Sequence, residues 1–247
     1  MPLWLGWLLA GLVIALFCSL GSWQLGRAKQ KEAMLADAQR ILSQRQAVPL
    51  SERALPAQAR AYSWTEGHGR YLSAPAVLLD NQNHQGRPGV RVLRAFQPDD
   101  GAAPMLVDLG WLPLPGNREL PRLPELTGPA QLRGLLAPPP SEGMARALAS
   151  RQPNGAILTT ALDAPELPAL LGVTALSPRL LKLDPAMPGG YTRDLEILPN
   201  TLPPERHLGY AVQWFGLALA VFITALVVSV RGRSRRGRDA ASREKMP

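Results

Sequence analysis

Two apolar, uncharged segments lie near the ends of the chain, and a long stretch of mixed polarity separates them. The segments cover residues 3–25 and 208–230. An α-helix rises about 1.5 Å per residue, so about 20 residues cross the roughly 30 Å hydrocarbon layer of a bilayer. The hydrophobic pattern therefore predicts two transmembrane helices, 3–25 and 208–230, that flank an exported domain over 26–206.

The first apolar segment has to be compared with a cleavable signal peptide. Only Met1 and Pro2 precede it, so it lacks a basic amino-terminal region, and it is longer than the apolar stretch of a signal peptide. Phe17 stands directly before Cys18, where a lipoprotein signal needs a small residue. We therefore expect an uncleaved signal anchor.

Basic residues after the second segment set the expected orientation. The tail 231–247 holds seven Lys or Arg residues against two acidic ones, and such basic segments stay in the cytoplasm. Arg27, Lys29 and Lys31 argue the other way, but they belong to a long loop, and long loops are translocated largely regardless of charge. We expect a multi-pass protein of the bacterial inner membrane, with a periplasmic domain and both termini in the cytoplasm.

The formal net charge of +8 invites comparison with nucleic-acid-binding proteins. Most of that charge lies in the tail 231–247, where it is a topology signal that also contacts anionic lipid. A nucleic-acid-binding protein carries its basic residues as a stripe on the folded domain instead. The charge distribution favours membrane lipid as a partner and argues against nucleic acid.

The spacing of apolar residues changes along the exported domain. Over 28–47 it is helical, which predicts an amphipathic helix continuing from the first membrane segment. Short apolar runs bounded by turn residues then predict strands. These strands are Tyr62–Leu72, Ala76–Asn81, Gly89–Phe96, Met105–Leu112, Gln131–Leu136, Gly155–Ala161 and Arg179–Leu183. Short helices are expected at Ser141–Arg151 and from a cap at Asp163 to Gly172.

The expected fold class follows from these elements. It is a membrane protein in which two transmembrane helices flank one α+β domain with a mainly antiparallel β-sheet or small barrel. About 180 residues of this composition are enough to bury a single core.

Signatures of catalysis and metal binding are missing from the sequence. It contains no nucleophile elbow, Walker loop, dinucleotide fingerprint or His-Glu-x-x-His motif. The lone cysteine lies in the first apolar segment, and the three histidines lack the short spacing of metal ligands on one element. Asp80 and Asp108 are single carboxylates near strand ends, where pairing with an arginine is expected. We therefore expect neither an enzyme nor a dedicated protein metal site.

The second apolar segment begins with a group of polar side chains that a plain anchor does not need. They are His207, Tyr210, Gln213 and Trp214. An unpaired polar group at the membrane boundary costs free energy, so these residues are the first candidates for a function. Two simpler interpretations stay open. Trp23, Tyr210 and Trp214 also fit an aromatic belt, and Gln24 and Gln213 also fit hydrogen bonds between the two helices.

Six motifs are distributed over the chain. In order they are Leu20-Gly21-Ser22-Trp23-Gln24-Leu25-Gly26-Arg27, Gly69-Arg70-Tyr71, Leu78-Leu79-Asp80-Asn81-Gln82, Gly86-Arg87-Pro88-Gly89-Val90, Leu106-Val107-Asp108-Leu109-Gly110-Trp111-Leu112-Pro113 and His207-x-x-Tyr210-Ala211-x-Gln213-Trp214-Phe215. Together they resemble the surfeit locus protein 1 family of cytochrome c oxidase assembly factors. One departure is that the family usually has Asn-Arg before Gly-Trp, where this chain has Asp108-Leu109.

The resemblance implies a non-catalytic, membrane-anchored factor of the respiratory chain that assists the insertion or handover of haem a to the catalytic subunit of the oxidase. It implies transient binding of haem a, with haem a synthase as a further partner. The residues it suggests for haem binding are Trp23, Gln24, Arg27, His207, Tyr210, Gln213 and Trp214.

Among these residues, His207 is the candidate ligand of the haem iron, since iron accepts neutral imidazole. Trp23 and Trp214 offer planar apolar surfaces, and Arg27, with Arg206, offers a partner for the propionates. The alternative function is a cofactor-free scaffold that binds and stabilises a partly assembled oxidase subunit. In that case His207 is an interfacial residue and Arg27 a charge that snorkels to the membrane surface.

Overall fold

The computed structural model describes residues 3–51, 62–101, 103–140, 147–195, 197 and 202–243. Within these residues the chain forms three helices and nine strands, and it divides into two compact units. The first unit contains residues 1–33 and 202–247, and the second contains residues 34–201. Helix α1, Leu3–Gln44, begins in the first unit and ends in the second.

Two long apolar helices make up the first unit, as predicted. They are the first part of α1 and helix α3, Pro204–Arg243. The segments long and apolar enough to cross a membrane are Trp4–Gln44 and Pro204–Gly232. Of the most apolar 18-residue stretch in each segment, only 6% and 11% are buried within the protein. Their side chains therefore face outwards, as expected for helices that lie in lipid rather than in a soluble core.

The second unit contains one mixed sheet and a short helix, α2, Leu167–Leu171. The strands are β1 Val48–Pro49, β2 Ser63–Tyr71, β3 Val77–His84, β4 Arg87–Pro98, β5 Met105–Pro113, β6 Gly128–Ala137, β7 Ala149–Arg151, β8 Ile157–Thr159 and β9 Leu180–Leu183. Most pairings are antiparallel, and β1–β2, β3–β8 and β5–β9 are parallel. The expected mainly antiparallel sheet is therefore confirmed.

The sheet closes into a small barrel. The strand order is β1-β2-β6-β9-β5-β4-β3-β8-β7, and β2 pairs with β4 in addition. This second pairing, from Gly69↔Pro98 to Tyr71↔Phe96, joins β2, β6, β9, β5 and β4 into a closed ring. Closure removes the free edges of these five strands.

The barrel strands share one apolar cluster. It consists of Leu50, Tyr71, Phe96, Met105, Val107, Leu109, Leu132, Leu136, Leu181 and Leu183. A second cluster, which includes Leu106 of β5, packs against α2. Both faces of β5 are therefore buried, because each face has its own cluster.

Two local predictions for the domain were wrong. Residues 149–151 form strand β7, which pairs with β8, whereas a helix was expected over Ser141–Arg151; residues 141–146 lie outside the described part of the chain. Tertiary pairing here overrides local helix propensity. Glu166, not Asp163, precedes α2, and its side chain makes no capping hydrogen bond. Gly172 ends the helix in the left-handed conformation, φ 73°, as predicted.

Candidate functional site

Helices α1 and α3 of the first unit run antiparallel and are in contact along their length. Trp7 of α1 donates a hydrogen bond from Nε1 to Ser229 Oγ at 2.9 Å, and its ring meets that of Phe222 edge-on. Farther along, the rings of Phe17 and Trp214 lie 5.5 Å apart between centroids. Residue numbers that increase along α1 therefore face residue numbers that decrease along α3.

The contact surface between the two helices follows a repeat of alternating three- and four-residue steps. On α1 the residues that are buried or half-buried at this spacing are Ala10, Ile14, Phe17, Gly21, Gln24, Ala28 and Lys31. On α3 they are Pro204, His207, Ala211, Trp214, Ala218, Val221 and Ala225. A repeat near 3.5 residues keeps one stripe of each helix facing the other.

Small residues set how closely the helices approach. Ala28, Ala211 and Ala218 are buried. A Cβ atom placed on Gly21 would lie 2.8 Å from Cζ of Phe215, closer than side chains pack. Gly21 therefore leaves the space that the Phe215 ring occupies, as small residues do between membrane helices.

The contact surface ends in a polar pair, His207 and Gln24. Nδ1 of His207 lies 2.7 Å from Oε1 of Gln24. Because a carbonyl oxygen only accepts, Nδ1 carries a proton, and in the neutral ring the lone pair is then on Nε2. His207 is 7% exposed, and within the described part of the chain its Nε2 has no hydrogen-bond partner. In its neutral form the ring therefore offers a basic nitrogen that makes no hydrogen bond within the described part of the chain.

Cationic side chains surround this end of the first unit. Arg27 is exposed and donates a hydrogen bond to Gln30 Oε1 at 2.9 Å. Lys31 donates from Nζ to the carbonyl of Leu202. Arg206 is exposed on the first turn of α3. These charges can attract anionic groups, but screening by solvent limits each exposed contact.

The structure brings together some of the proposed haem-binding residues and not others. His207 and Gln24 form a direct hydrogen bond. Trp214 packs on Phe17, which the sequence did not suggest. Trp23 is 58% exposed, Tyr210 is 41% exposed, and Gln213 is exposed as well. The exposed residues present polar and aromatic surface outwards, while His207 is buried and Gln24 is half-buried between the helices.

Several residues of this site were missed at the sequence level. They are Phe17, Gly21, Lys31, Phe215 and Ser229. The alternating spacing of small residues such as Ala211 and Ala218 is the signal that could have located the contact surface.

The buried acidic residue of β5 has the ordinary structural role expected for it. Asp108 accepts a hydrogen bond from Nε of Arg91 at 2.7 Å, and Asp194 lies 3.4 Å from Nη1 of the same arginine. Burial alone lowers the pKa of Arg91, but the two carboxylates outweigh burial, so its pKa is raised. Asp80 likewise pairs with Arg118 at 2.7 Å.

The Gly110-Trp111 motif of β5 also makes internal contacts. Gly110 has φ +120°, and a Cβ there would lie 2.7 Å from the carbonyl oxygen of Thr192, so the position needs glycine. Trp111 is buried and stacks against His84, with ring centroids 5.1 Å apart. Leu109, where the family usually has Arg, is buried in the barrel cluster. The motif therefore stabilises the domain.

No group of three or more His, Cys, Asp or Glu side chains that could hold a metal ion occurs among the residues described here. Together, the two long apolar helices and the small barrel define a class of protein: one with two candidate membrane-spanning helices and a small β-barrel domain.

Comparison with known proteins identifies the group within that class. The SURF1 family profile matches residues 11–219, which is most of the chain. The chain belongs to the SURF1 family, whose members are non-catalytic cytochrome oxidase assembly factors. No curated protein matches the chain in sequence. The resemblance noted in the motifs and the expectation of a non-enzymatic role in oxidase assembly are thereby confirmed.

Proposed function

We propose that this protein holds haem a transiently at the outer end of its helix pair and passes it to the catalytic subunit of cytochrome c oxidase. The observation that carries the proposal is the buried, unpartnered Nε2 of His207. Burying a polar atom without a partner is unfavourable, so such an atom calls for a ligand. Haem iron accepts neutral imidazole, and a histidine that binds metal usually donates its other ring N–H to a fixed acceptor. Gln24 is that acceptor.

The surroundings of His207 suit the amphipathic character of haem a. Arg27 and Arg206 are exposed and can pair with the propionates. Trp23, Tyr210 and Trp214 offer aromatic surface to the macrocycle, and the farnesyl chain can remain in lipid. Gln213 is an exposed amide for a further hydrogen bond.

The proposal includes an orientation and a receiver. Residues 3–25 and 208–230 cross the inner membrane of a bacterium, residues 26–206 lie in the periplasm, and the basic tail 231–247 lies in the cytoplasm. The haem site is then at the periplasmic surface. Haem a synthase is the matching source of the cargo. The competing function is a cofactor-free scaffold for a partly assembled subunit.

Replacement of His207 tests the proposal. The protein purified from cells that make haem a is expected to show a haem a spectrum. His207→Ala removes the proposed iron ligand itself and is expected to lose bound haem, by about 100-fold or more, because removing a supporting group alone already lowers metal affinity about 10–100-fold. Arg27→Ala should weaken retention less, because an exposed ion pair contributes only about 0–1 kcal/mol. The measurement is the haem content per purified protein, by absorption spectroscopy.

His68→Ala is the matched control, since His68 is exposed on β2 and should not affect haem content. Absence of a haem spectrum from the unsubstituted protein would favour the scaffold. If His207→Ala accumulates normally in the membrane and contains as much haem as the unsubstituted protein, His207 is not the iron ligand.

A further inference from the structure

A cavity of about 480 Å³ lies within the second unit, and its lining includes no residue of the haem proposal. It is bounded by β5, the segment 121–126 and the pair Gly190-Tyr191. Its apolar lining consists of Leu109, Leu112, Pro121, Leu123, Pro124 and Leu126. Cavities of roughly 300–1,000 Å³ with mainly apolar walls and a few polar groups are typical of small-molecule sites.

Arg94 supplies a buried positive charge to the cavity wall. It is only 6% exposed. Nη1 donates to the carbonyl of Ala74 at 3.3 Å, and Nη2 donates to the carbonyl of Pro124. No carboxylate forms an ion pair with Arg94 among the residues whose positions are described. A guanidinium has five N–H donors, so two hydrogen bonds to neutral oxygens leave both its charge and its donors undersatisfied.

A second arginine on the same strand shows the difference. Arg91 is equally buried, but Asp108 and Asp194 balance its charge and raise its pKa. Burial lowers the pKa of Arg94 instead, and the more distant Tyr191 and Glu125 offset this only in part. Among the residues that the structure describes, the charge on Arg94 therefore has no counter-ion as close as those of Arg91.

Arg193 lies next to the same cavity. Its Nη2 donates to the carbonyl of Met187, and its Nη1 is buried without a hydrogen-bond partner in the described part of the structure. Nη1 lies 3.7 Å from the point where Gly190, a lining residue, would carry a Cβ. Both Arg94 and Arg193 act electrostatically on Tyr71, although burial raises the pKa of Tyr71 to about 12. Two undersatisfied guanidinium groups thus stand close to one apolar cavity.

We propose that this cavity binds a small amphipathic carboxylate, with the carboxylate on Arg94 and the apolar body against the leucines. A planar guanidinium matches a carboxylate through paired N–H···O bonds, and a buried cation gains more from such a partner than an exposed one does. Arg122 and Glu125 at the exposed rim have opposite charges and cancel in part. The site uses none of the residues proposed for haem binding, so the two proposals are tested independently.

Three probes separate the contributions of charge and chain. Isothermal titration calorimetry is carried out on the full chain in lipid nanodiscs, with empty nanodiscs subtracted, using octanoate, octanol and acetate. Octanoate is expected to bind. Octanol should bind about tenfold or more weakly, because it cannot form the charge-assisted hydrogen bonds. Acetate should show no detectable binding, because it has no apolar chain. Equal affinities for octanol and octanoate, or no binding of octanoate, would overturn the proposal.

Variants of the lining locate the binding. Leu112→Trp fills the cavity from a half-buried position and is expected to abolish octanoate binding; retained binding places the ligand elsewhere and overturns the proposal. Arg94→Met should bring octanoate down to the octanol level, while Arg94→Lys keeps part of the preference. If Arg94→Met does not fold, Glu125→Gln provides the test. This variant removes a negative charge at the rim, so it should raise the affinity for octanoate but not for octanol. An unchanged affinity for octanoate would contradict the proposal.

Discussion

At the scale of single residues, the His207–Gln24 pair joins two positions that are 183 residues apart in the chain. Each side chain alone is an unfavourable polar group beside an apolar helix. Their hydrogen bond satisfies Nδ1 and fixes the tautomer, so the remaining free nitrogen is Nε2. One ring nitrogen of His207 is therefore used by the fold, and the other is the nitrogen that we propose as the haem ligand.

Gln24 should matter for haem retention through His207. Gln24→Leu removes the acceptor, so the ring loses its fixed tautomer, and loss of such a supporting group typically lowers metal affinity about 10–100-fold. Gln24→Glu keeps an acceptor and should retain haem. The measurement is haem content and spectrum of each purified variant. Equal retention in Gln24→Leu would show that the hydrogen bond only joins the helices.

Two acidic residues of the barrel domain should differ in their contribution to stability. Asp108 is 3% exposed and paired with buried Arg91, so Asp108→Ala leaves a buried cation without its closest partner and should cost about 3–5 kcal/mol. Arg118, the partner of Asp80, is 60% exposed, so Asp80→Ala should cost about 0–1 kcal/mol. Urea unfolding of the full chain in detergent, followed by tryptophan fluorescence, measures both. Equal losses would contradict the assignment.

At the scale of elements, the helix pair depends on fitted surfaces rather than on hydrophobicity. Lipid is as apolar as the helices, so close packing and hydrogen bonds between helices must hold them together. Buried Gly21, Ala28, Ala211 and Ala218 permit the close approach, and the Trp7–Ser229 hydrogen bond joins the far end. The site at His207 is thus positioned by packing along most of both helices.

Two glycines of α1 offer a matched test of this packing. Gly21→Leu places a side chain where the Phe215 ring lies and should destabilise the pair by about 1–3 kcal/mol. Gly26 has nothing within 4 Å of an added Cβ, so Gly26→Leu should be neutral or stabilise the helix by up to about 1 kcal/mol. In detergent, the midpoint of thermal unfolding should fall for Gly21→Leu and should rise or stay unchanged for Gly26→Leu. A fall for Gly26→Leu alone would refute the packing scheme.

At the scale of the whole molecule, the chain consists of a helical unit and a barrel unit, and the ends of the chain both belong to the first. The barrel unit has its own apolar clusters and ion pairs. The haem site proposed at His207 and the carboxylate site proposed at Arg94 lie in different units. Changes at one site are therefore expected to leave the other site intact.

The proposed orientation of the molecule can be tested with reporters. A reporter that is active only in the periplasm should be inactive when fused after Pro247, because the basic tail 231–247 stays in the cytoplasm. The same reporter inserted between Gln85 and Gly86 should be active, since this exposed turn joins β3 and β4 in the proposed periplasmic domain. Measured activities in the reverse order would sink the proposed topology.

Local patterns in the sequence were enough to predict which segments form helices and strands. Uncharged runs of spanning length marked both long helices, and apolar runs between turn residues located seven of the nine strands, because burial leaves its pattern on neighbouring positions. The polar group from His207 onward marked the candidate site for the same reason. Strands β1 and β7, of two and three residues, are too short to carry such a pattern and were missed.

The contacts between distant segments could not be predicted from local patterns and became known from the folded structure. Closure of the barrel by β2 and β4, the match of Asp108 with Arg91, and the choice of Gln24 as partner of His207 depend on register between separate parts of the chain. Periodicity along one segment says which face is buried but not what covers it. The cavity beside Arg94, and the lack of a carboxylate paired with it among the described residues, could not be predicted either, because they depend on which segments pack around β4.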